Sequence, residues 1–248
     1  MLIALLSDIH GNLPALEAVI RRIAEMKPDR LYFLGDAVGY GPWPAESVEI
    51  LRRNVHGGVL GNHDAGAARK VDVSSYYDAI RYVIEWSRDQ LNEEQKKFLS
   101  DLKYIYNDDT GLILCSHGSP RMPERFDYLY SKETVERLYE VEPFLRRVTF
   151  VAHSHFFHYF VLTGNGRSVE LDLASGRIDI DFPYPSVCAI GSVGQPRDGD
   201  KRAGFVTFDT DKMSVQFHRV EYDVEKTVNQ IRKLKLPRSF ADRLLEGH

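Results

Sequence analysis

Cysteine is nearly absent from this chain: Cys115 and Cys188 are the only two in 248 residues. Both sit in apolar, strand-like runs, so they read as small core residues in a reducing cytoplasm and not as a disulfide framework. Two isolated thiols also exclude a thiolate-held structural zinc site. Long apolar runs are missing as well. The N-terminal stretch Met1–Leu6 is too short for the apolar centre of a signal peptide and has no basic flank. No segment approaches a membrane span, so the expected location is cytoplasmic, with no membrane partner. No block of Lys or Arg stands out and the net charge is −4, which argues against a dedicated nucleic-acid surface. Repeats, low-complexity tracts and flexible linkers are absent. Charged residues at 27% and hydrophobic ones at 43% describe an ordinary folded protein. One domain spanning 1–248 is expected, with a helical, cap-like segment at about 66–102.

What the chain does have is five short apolar runs, each ending in residue types that bind metals. Leu2–Leu6 leads into Asp8-Ile9-His10, Leu31–Leu34 into Gly35-Asp36, and Gly58–Leu60 into Gly61-Asn62-His63-Asp64. Leu112–Cys115 leads into Ser116-His117, and Val148–Ala152 into His153-Ser154-His155. Runs of this length followed by turn residues read as buried strands of a parallel sheet. Ligands in open α/β sheets bind at the carboxyl ends of the strands, so all five clusters are expected on one edge of one sheet.

Helical spacing predicts helices from the N-cap Asn12 to Pro28 and over Ala45–Arg53, Ser74–Leu91, Glu93–Leu102 and Thr134–Leu145, with another from Val224 to Pro237. On the Ser74–Leu91 helix, Tyr77, Ile80, Ile84 and Leu91 form one apolar face, and its aromatic row reads as core. After His155 the texture turns to short strands: Phe157–Leu162, Val169–Leu173, Ile178–Phe182, Val187–Ile190, Phe205–Phe208 and Val215–Val220. Gly164-Asn165-Gly166 marks a hairpin turn.

Collected at one edge, Asp8, His10, Asp36, Asn62, His117, His153 and His155 offer N and O donors enough for two ions sharing a bridging carboxylate. Imidazole with carboxylate favours Mn²⁺, Fe or Zn²⁺ over Ca²⁺. Two divalent ions bring four positive charges, of which Asp8 and Asp36 cancel two, so the site favours an anionic substrate. Two-metal sites with ions about 3.5–4 Å apart activate water and stabilise in-line displacement at phosphorus. Phosphoester hydrolysis fits this composition best.

In this order, Asp8-Ile9-His10, Gly35-Asp36, Gly61-Asn62-His63-Asp64, His117 and His153-Ser154-His155 resemble the motifs of the calcineurin-like metallophosphoesterases, over nearly the whole chain. Gly191-Ser192-Val193-Gly194-Gln195-Pro196-Arg197 is similar to a late loop of the small bacterial and archaeal phosphodiesterase branch, and Tyr222–Thr227 has the same character. The resemblance implies a four-layer α/β/β/α sandwich, two mixed sheets flanked by helices. It implies a dinuclear-metal-dependent phosphoesterase, a phosphodiesterase by branch, working by attack of a metal-bridging hydroxide. Asp8, His10 and His155 would hold one ion and Asn62, His117 and His153 the other, with Asp36 bridging. Manganese is the expected metal; Fe, Zn, Ni, Co and Mg are compatible. His63 would contact the phosphoryl group and protonate the leaving oxygen, Asn62 would help neutralise the phosphoryl oxygens, and Asp64 would orient His63.

The chain departs from the family pattern where Ala152 precedes His153 in place of Gly, and where Ala189-Ile190 stands in place of Asn-Pro. Ala37-Val38-Gly39-Tyr40-Gly41 follows Asp36 without the arginine of the protein phosphatase and symmetrical tetraphosphatase branches. Arg197 and Arg121 are candidate contacts to the substrate phosphate, and Tyr40, Tyr128 and Tyr130 either stack on a nucleobase or pack. The expected partner is a small phosphoester, a nucleotide among the possibilities; the sequence carries no signature of oligomeric state. Three alternatives stay open: a phosphomonoesterase or nucleotide phosphatase with the same site, a nuclease for short oligonucleotides, and a non-catalytic scaffold.

Overall fold

The computed structural model describes residues 1–248, with two six-stranded sheets at its centre. The first sheet contains β1 (Leu2–Leu6), β2 (Arg30–Phe33), β3 (Gly57–Gly58), β9 (Arg177–Asp179), β11 (Ala203–Asp209) and β12 (Ser214–Val220), in the order β3-β2-β1-β11-β12-β9. The second contains β4 (Ile105–Asn107), β5 (Ile113–Ser116), β6 (Val148–Val151), β7 (Phe157–Leu162), β8 (Ser168–Glu170) and β10 (Ser186–Ile190), in the order β4-β5-β6-β10-β7-β8. Each sheet is mixed: β1, β2 and β3 are parallel, as are β5, β6 and β10, and antiparallel strands complete both.

The alternation of side chains along each strand sorts them into layers. Ile3 and Leu5 of β1 and Val206 and Phe208 of β11 face Cys115, Phe150 and Cys188 across the sheet-to-sheet core, where the Phe150 and Phe208 rings lie 5.8 Å apart. Ala4, Leu6 and Phe33 face the other way, onto helices α1 (Leu13–Met26), α2 (Pro44–Asn54), α4 (Asp78–Gln90) and α5 (Glu93–Asp101). Val151, Phe160, Val187 and Ala189 form the outer face of the second sheet under Val135 and Leu138. The result is helix, sheet, sheet, helix. The remaining helices are α3 (Asn62–Ala67), α6 (Lys132–Glu136), α7 (Val224–Lys233) and α8 (Arg238–Glu246). No helix is long and apolar enough to cross a membrane.

Several expectations need correction. The five clusters do not share one sheet: β1, β2 and β3 deliver three of them and β5 and β6 the other two. Both parallel runs look alike in sequence, and only pairing partners distinguish them. The edges meet through the Val59–Lys103 bridge and the Leu60 N–H bond to the Lys103 carbonyl. The helix expected at Ser74–Leu91 begins at Asp78; Tyr77 is its N-cap residue and is exposed, not part of the apolar face. Thr134–Leu145 splits into α6, with a capping box at Ser131 and Thr134, and 3₁₀ turns over Arg137–Phe144, where Pro143 has no N–H to continue an α-helix. Strand β4 and helices α3 and α8 are additional to the sequence reading. The helices of the 66–102 segment pack in the α layer of the first sheet, through Ile84, Leu91 and Leu99.

Candidate metal centre

Five of the seven candidate ligands sit at strand ends in the left-handed backbone region: Asp8 (φ 51°), His10 (47°), Asp36 (60°), His153 (67°) and His155 (63°). Asp and His tolerate this region better than most residues, yet each such position costs about 1 kcal/mol. Strain repeated at five candidate ligands is a mark of a functional constellation. A paired comparison reads it directly. In chelator-treated protein, His153→Gly should be more stable to urea than His153→Ala by about 1 kcal/mol, because glycine alone takes positive φ freely. Equal stabilities would show that His153 is not strained. Ala152 itself has negative φ, so its Cβ adds no backbone strain.

The turned backbones bring the side chains together, buried, in two groups. Asp8, His10 and His155 place their donor atoms within 4.8 Å of one another, as do Asp36, His117 and His153. A further combination, His10, Asp36 and His63, meets the same limit. Asn62 lines one cavity with Asp36, His153 and His155, its Oδ1 buried and unpartnered.

Hydrogen bonding sets the tautomers. His10 Nδ1 donates to the Val38 carbonyl (3.1 Å), His117 Nδ1 to Leu34 (2.7 Å) and His155 Nδ1 to Gln195 (2.5 Å). Carbonyls only accept, so these nitrogens carry the hydrogen and Nε2 turns inward. Burial, joined by neighbouring cationic groups, holds His10 and His155 well below the ordinary imidazole pKa. Their two bare Nε2 lone pairs therefore face each other at 3.3 Å, beside the unpartnered Oδ1 of Asp8 at 3.8 and 3.4 Å. With Asp8 ionised, three electron-rich atoms converge with no donor among them, a cradle that fits a cation.

In the second group a proton supplies the positive charge. Burial alone would lower His117, but the Asp36 carboxylate, 3.3 Å from Nε2, outweighs it and pushes His117 up to about 9. The same pairing holds Asp36 well below the carboxylate range in spite of its burial. Divalent metal would displace that proton. Asp8, with burial dominant, is pushed up to about 7 in the metal-free protein.

The late loop braces the site, and its part was not evident from sequence. Val193 N–H bonds the Ser7 carbonyl (3.0 Å), Gly194 N–H bonds that of Asp8 (2.8 Å), and Ser192 Oγ donates to the same Asp8 carbonyl (2.9 Å). Asn12 caps α1, donates to the Gly194 carbonyl (2.9 Å) and accepts from Thr227 (2.8 Å), tying α7 to the loop. Ser7 Oγ donates to Asp8 Oδ2 at 2.6 Å. Polar residues with one local role, a cap or a turn, give no sequence signal of a second, distant one.

Two expected contacts are not made. Asp64 makes no hydrogen bond to His63: its Oδ1 accepts from the Ala37 and Val38 N–H groups (2.9 and 3.2 Å), and His63 Nδ1 has no partner. Adjacent residues on a helix diverge, so Asp64 braces the loop after Asp36 instead. Burial, then the Asp36 charge, pushes Asp64 up to about 8, and burial pushes His63 down to about 4. Arg121 is engaged elsewhere, with Glu140 at 2.6 Å.

A cavity of about 270 Å³ opens over Asp36, Asn62, His63, His153 and His155. Tyr40, Tyr76, Tyr77 and Tyr128 wall it, and Arg197 is its one arginine or lysine, bonded through Nη2 to Gln195 Oε1 (3.0 Å). Tyr76 and Tyr77, expected in the core, thus border the site. The Tyr128 ring stacks on His153, with centroids 3.9 Å apart.

The chain belongs to the calcineurin-like phosphoesterase family, whose profile matches residues 1–181. Within it the chain is 36% identical to an uncharacterized protein of Methanocaldococcus jannaschii, over 99% of this chain and 98% of the relative. Its fold is similar to the crystal structure of a metallophosphoesterase from Sphaerobacter thermophilus (TM-score 0.86, 34% identity, 100% and 99% of the two chains). It also matches a hypothetical protein of Pyrococcus horikoshii (TM-score 0.79, 25% identity, 100% and 98%). The four-layer architecture expected from the motifs is the one observed, and the family is one of phosphoester hydrolases.

Proposed function

We propose that the protein is a dinuclear-metal-dependent phosphodiesterase. The observation that carries this reading is the pair of ligand groups, Asp8/His10/His155 and Asp36/His117/His153, meeting beside one cavity. Asp36 would bridge the two ions and Asn62 would complete the second set; imidazole with carboxylate suits Mn²⁺, Fe or Zn²⁺, and Mn²⁺ is the metal we expect. Bound there, two ions supply Lewis-acid charge and an activated water.

The protein's own groups do the rest. Arg197 reaches the cavity from the late loop as a single guanidinium, a match for the single negative charge of a diester. His63, buried beside Asp36, meets the leaving oxygen; an anionic phosphoryl group next to it opposes the burial that keeps it neutral. The Tyr128 ring on His153 keeps water from that face of the imidazole.

The test is hydrolysis of bis(p-nitrophenyl) phosphate and p-nitrophenyl phosphate by chelator-stripped protein, with and without Mn²⁺. Metal-dependent turnover of the diester, faster than of the monoester, is expected. A faster monoester reaction would replace the diesterase with a phosphatase; no turnover of either by folded protein, across several metals, would sink the hydrolase reading.

A further inference from the structure

A second groove, about 540 Å³, opens directly beside the metal cavity, lined by Tyr128, Tyr130, Ser154, Phe156, His158 and Arg197. Tyr128 and Arg197 line both cavities, so the two adjoin. One short stretch of chain serves both: His153 and His155 border the metal cavity, while Ser154 and Phe156 border the groove. The groove's aromatics are unusually open for large rings: Tyr130 is 55% exposed, Tyr128 44% and Phe156 36%. They come as two pairs, Tyr128 with Tyr130 at 6.2 Å and Phe156 with His158 at 5.8 Å.

We propose that this groove is the subsite for the nucleobase of a nucleoside phosphodiester, whose phosphate lies in the metal cavity. The inference rests on the phosphodiesterase reading and names its substrate class. Exposed aromatic faces bind planar heterocycles by stacking, whichever base is offered. Arg197 lines both cavities and so stands at the junction, where the phosphate joins the nucleoside. His158 Nδ1 is engaged by Glu170 at 2.7 Å, which fixes the ring and leaves Nε2 to meet the polar edge of a base. The Ser154 hydroxyl adds a second polar group. An acyl chain would leave Ser154 and His158 unmatched, whereas a base uses them together with the ring faces.

The experiment compares two diesters with the same leaving group, methyl p-nitrophenyl phosphate and thymidine 5′-(p-nitrophenyl phosphate), in Mn²⁺-loaded protein. The nucleoside arm should raise kcat/KM at least tenfold in the wild type. In Tyr130→Ala and Phe156→Leu the nucleoside-to-methyl ratio should fall about tenfold, and Tyr130→Phe should restore it, since stacking needs the ring and not the hydroxyl. Both positions are partly exposed, so the variants should fold, which melting curves check. A wild type indifferent to the nucleoside arm, or a ratio unmoved in both variants, would overturn the proposal. If neither diester is turned over, the phosphodiesterase reading fails on its own, and calorimetry with thymidine 5′-monophosphate decides the groove. Binding weakened about tenfold in Tyr130→Ala supports the base subsite; absent or unchanged binding overturns it.

Discussion

Asp36→Ala should lower metal-dependent phosphoester hydrolysis by a factor on the order of 10³ or more. Metal ions contribute several kcal/mol of transition-state charge stabilisation, and each 1.36 kcal/mol is tenfold in rate. Asp36 is the one carboxylate close to both groups: its Oδ2 is 3.7 Å from His10 Nε2 and 3.3 Å from His117 Nε2. Its Oδ1 accepts the His63 N–H at 2.9 Å, so the same side chain positions the start of α3. A second readout separates loss of metal from loss of fold. Saturating Mn²⁺ should stabilise the wild type against heat, by about 2.7 kcal/mol at a hundredfold excess over Kd, and should stabilise Asp36→Ala far less. Equal stabilisation of both would mean that Asp36 is not a ligand, whatever happens to the rate.

The second large effect is expected at a residue with no side chain. Gly61 precedes Asn62 at the end of β3, and a Cβ there would lie 2.1 Å from Asp36 Oδ1 and 2.3 Å from the Asp36 backbone nitrogen. Its φ of −91° is open to any residue, so close approach alone demands glycine. Gly61→Ala must push β2 and β3 apart at the point where Asp36 and Asn62 are presented. Overpacking of this kind costs about 1–3 kcal/mol of stability. A displacement of about 1 Å at the ligands is worth roughly 10²-fold in rate. Urea denaturation and initial rates measure the two effects on one preparation. A Gly61→Ala protein with wild-type rate would show that the strand ends can separate without moving the ligands. Gly39 presents a related case: its φ is +132°, and a Cβ would meet His63 Nδ1 at 2.5 Å.

The candidate ligands and the strands that carry them were legible in the sequence. A buried strand must be apolar along its length, and the polar residues that follow can leave the core only at its end. That local rule locates Asp8, Asp36, Asn62, His117 and His153 without knowing what pairs with what. Helix α1 was legible for a similar reason, with its cap at Asn12 and its apolar face of Leu16, Val19 and Ile23.

Pairing itself was not legible. Whether β5 joins β3 or opens a second sheet depends on neighbours distant in sequence, and the five apolar runs look alike. The Asp64–His63 contact failed for a geometric reason, since neighbours on a helix point apart, and Asp64 found the Ala37 and Val38 amides instead. Arg121 and Arg197 were both candidates in the sequence, Arg197 marked by its late loop; the fold pairs the first with Glu140 and turns the second into the cavity. Residue types and their places on strands are local properties, set by burial and turn chemistry. The tautomers of His10, His117 and His155, the bracing of Asp8 by Ser192 and Gly194, and the aromatic groove beside His155 arise from contacts between distant segments, which only the tertiary structure decides.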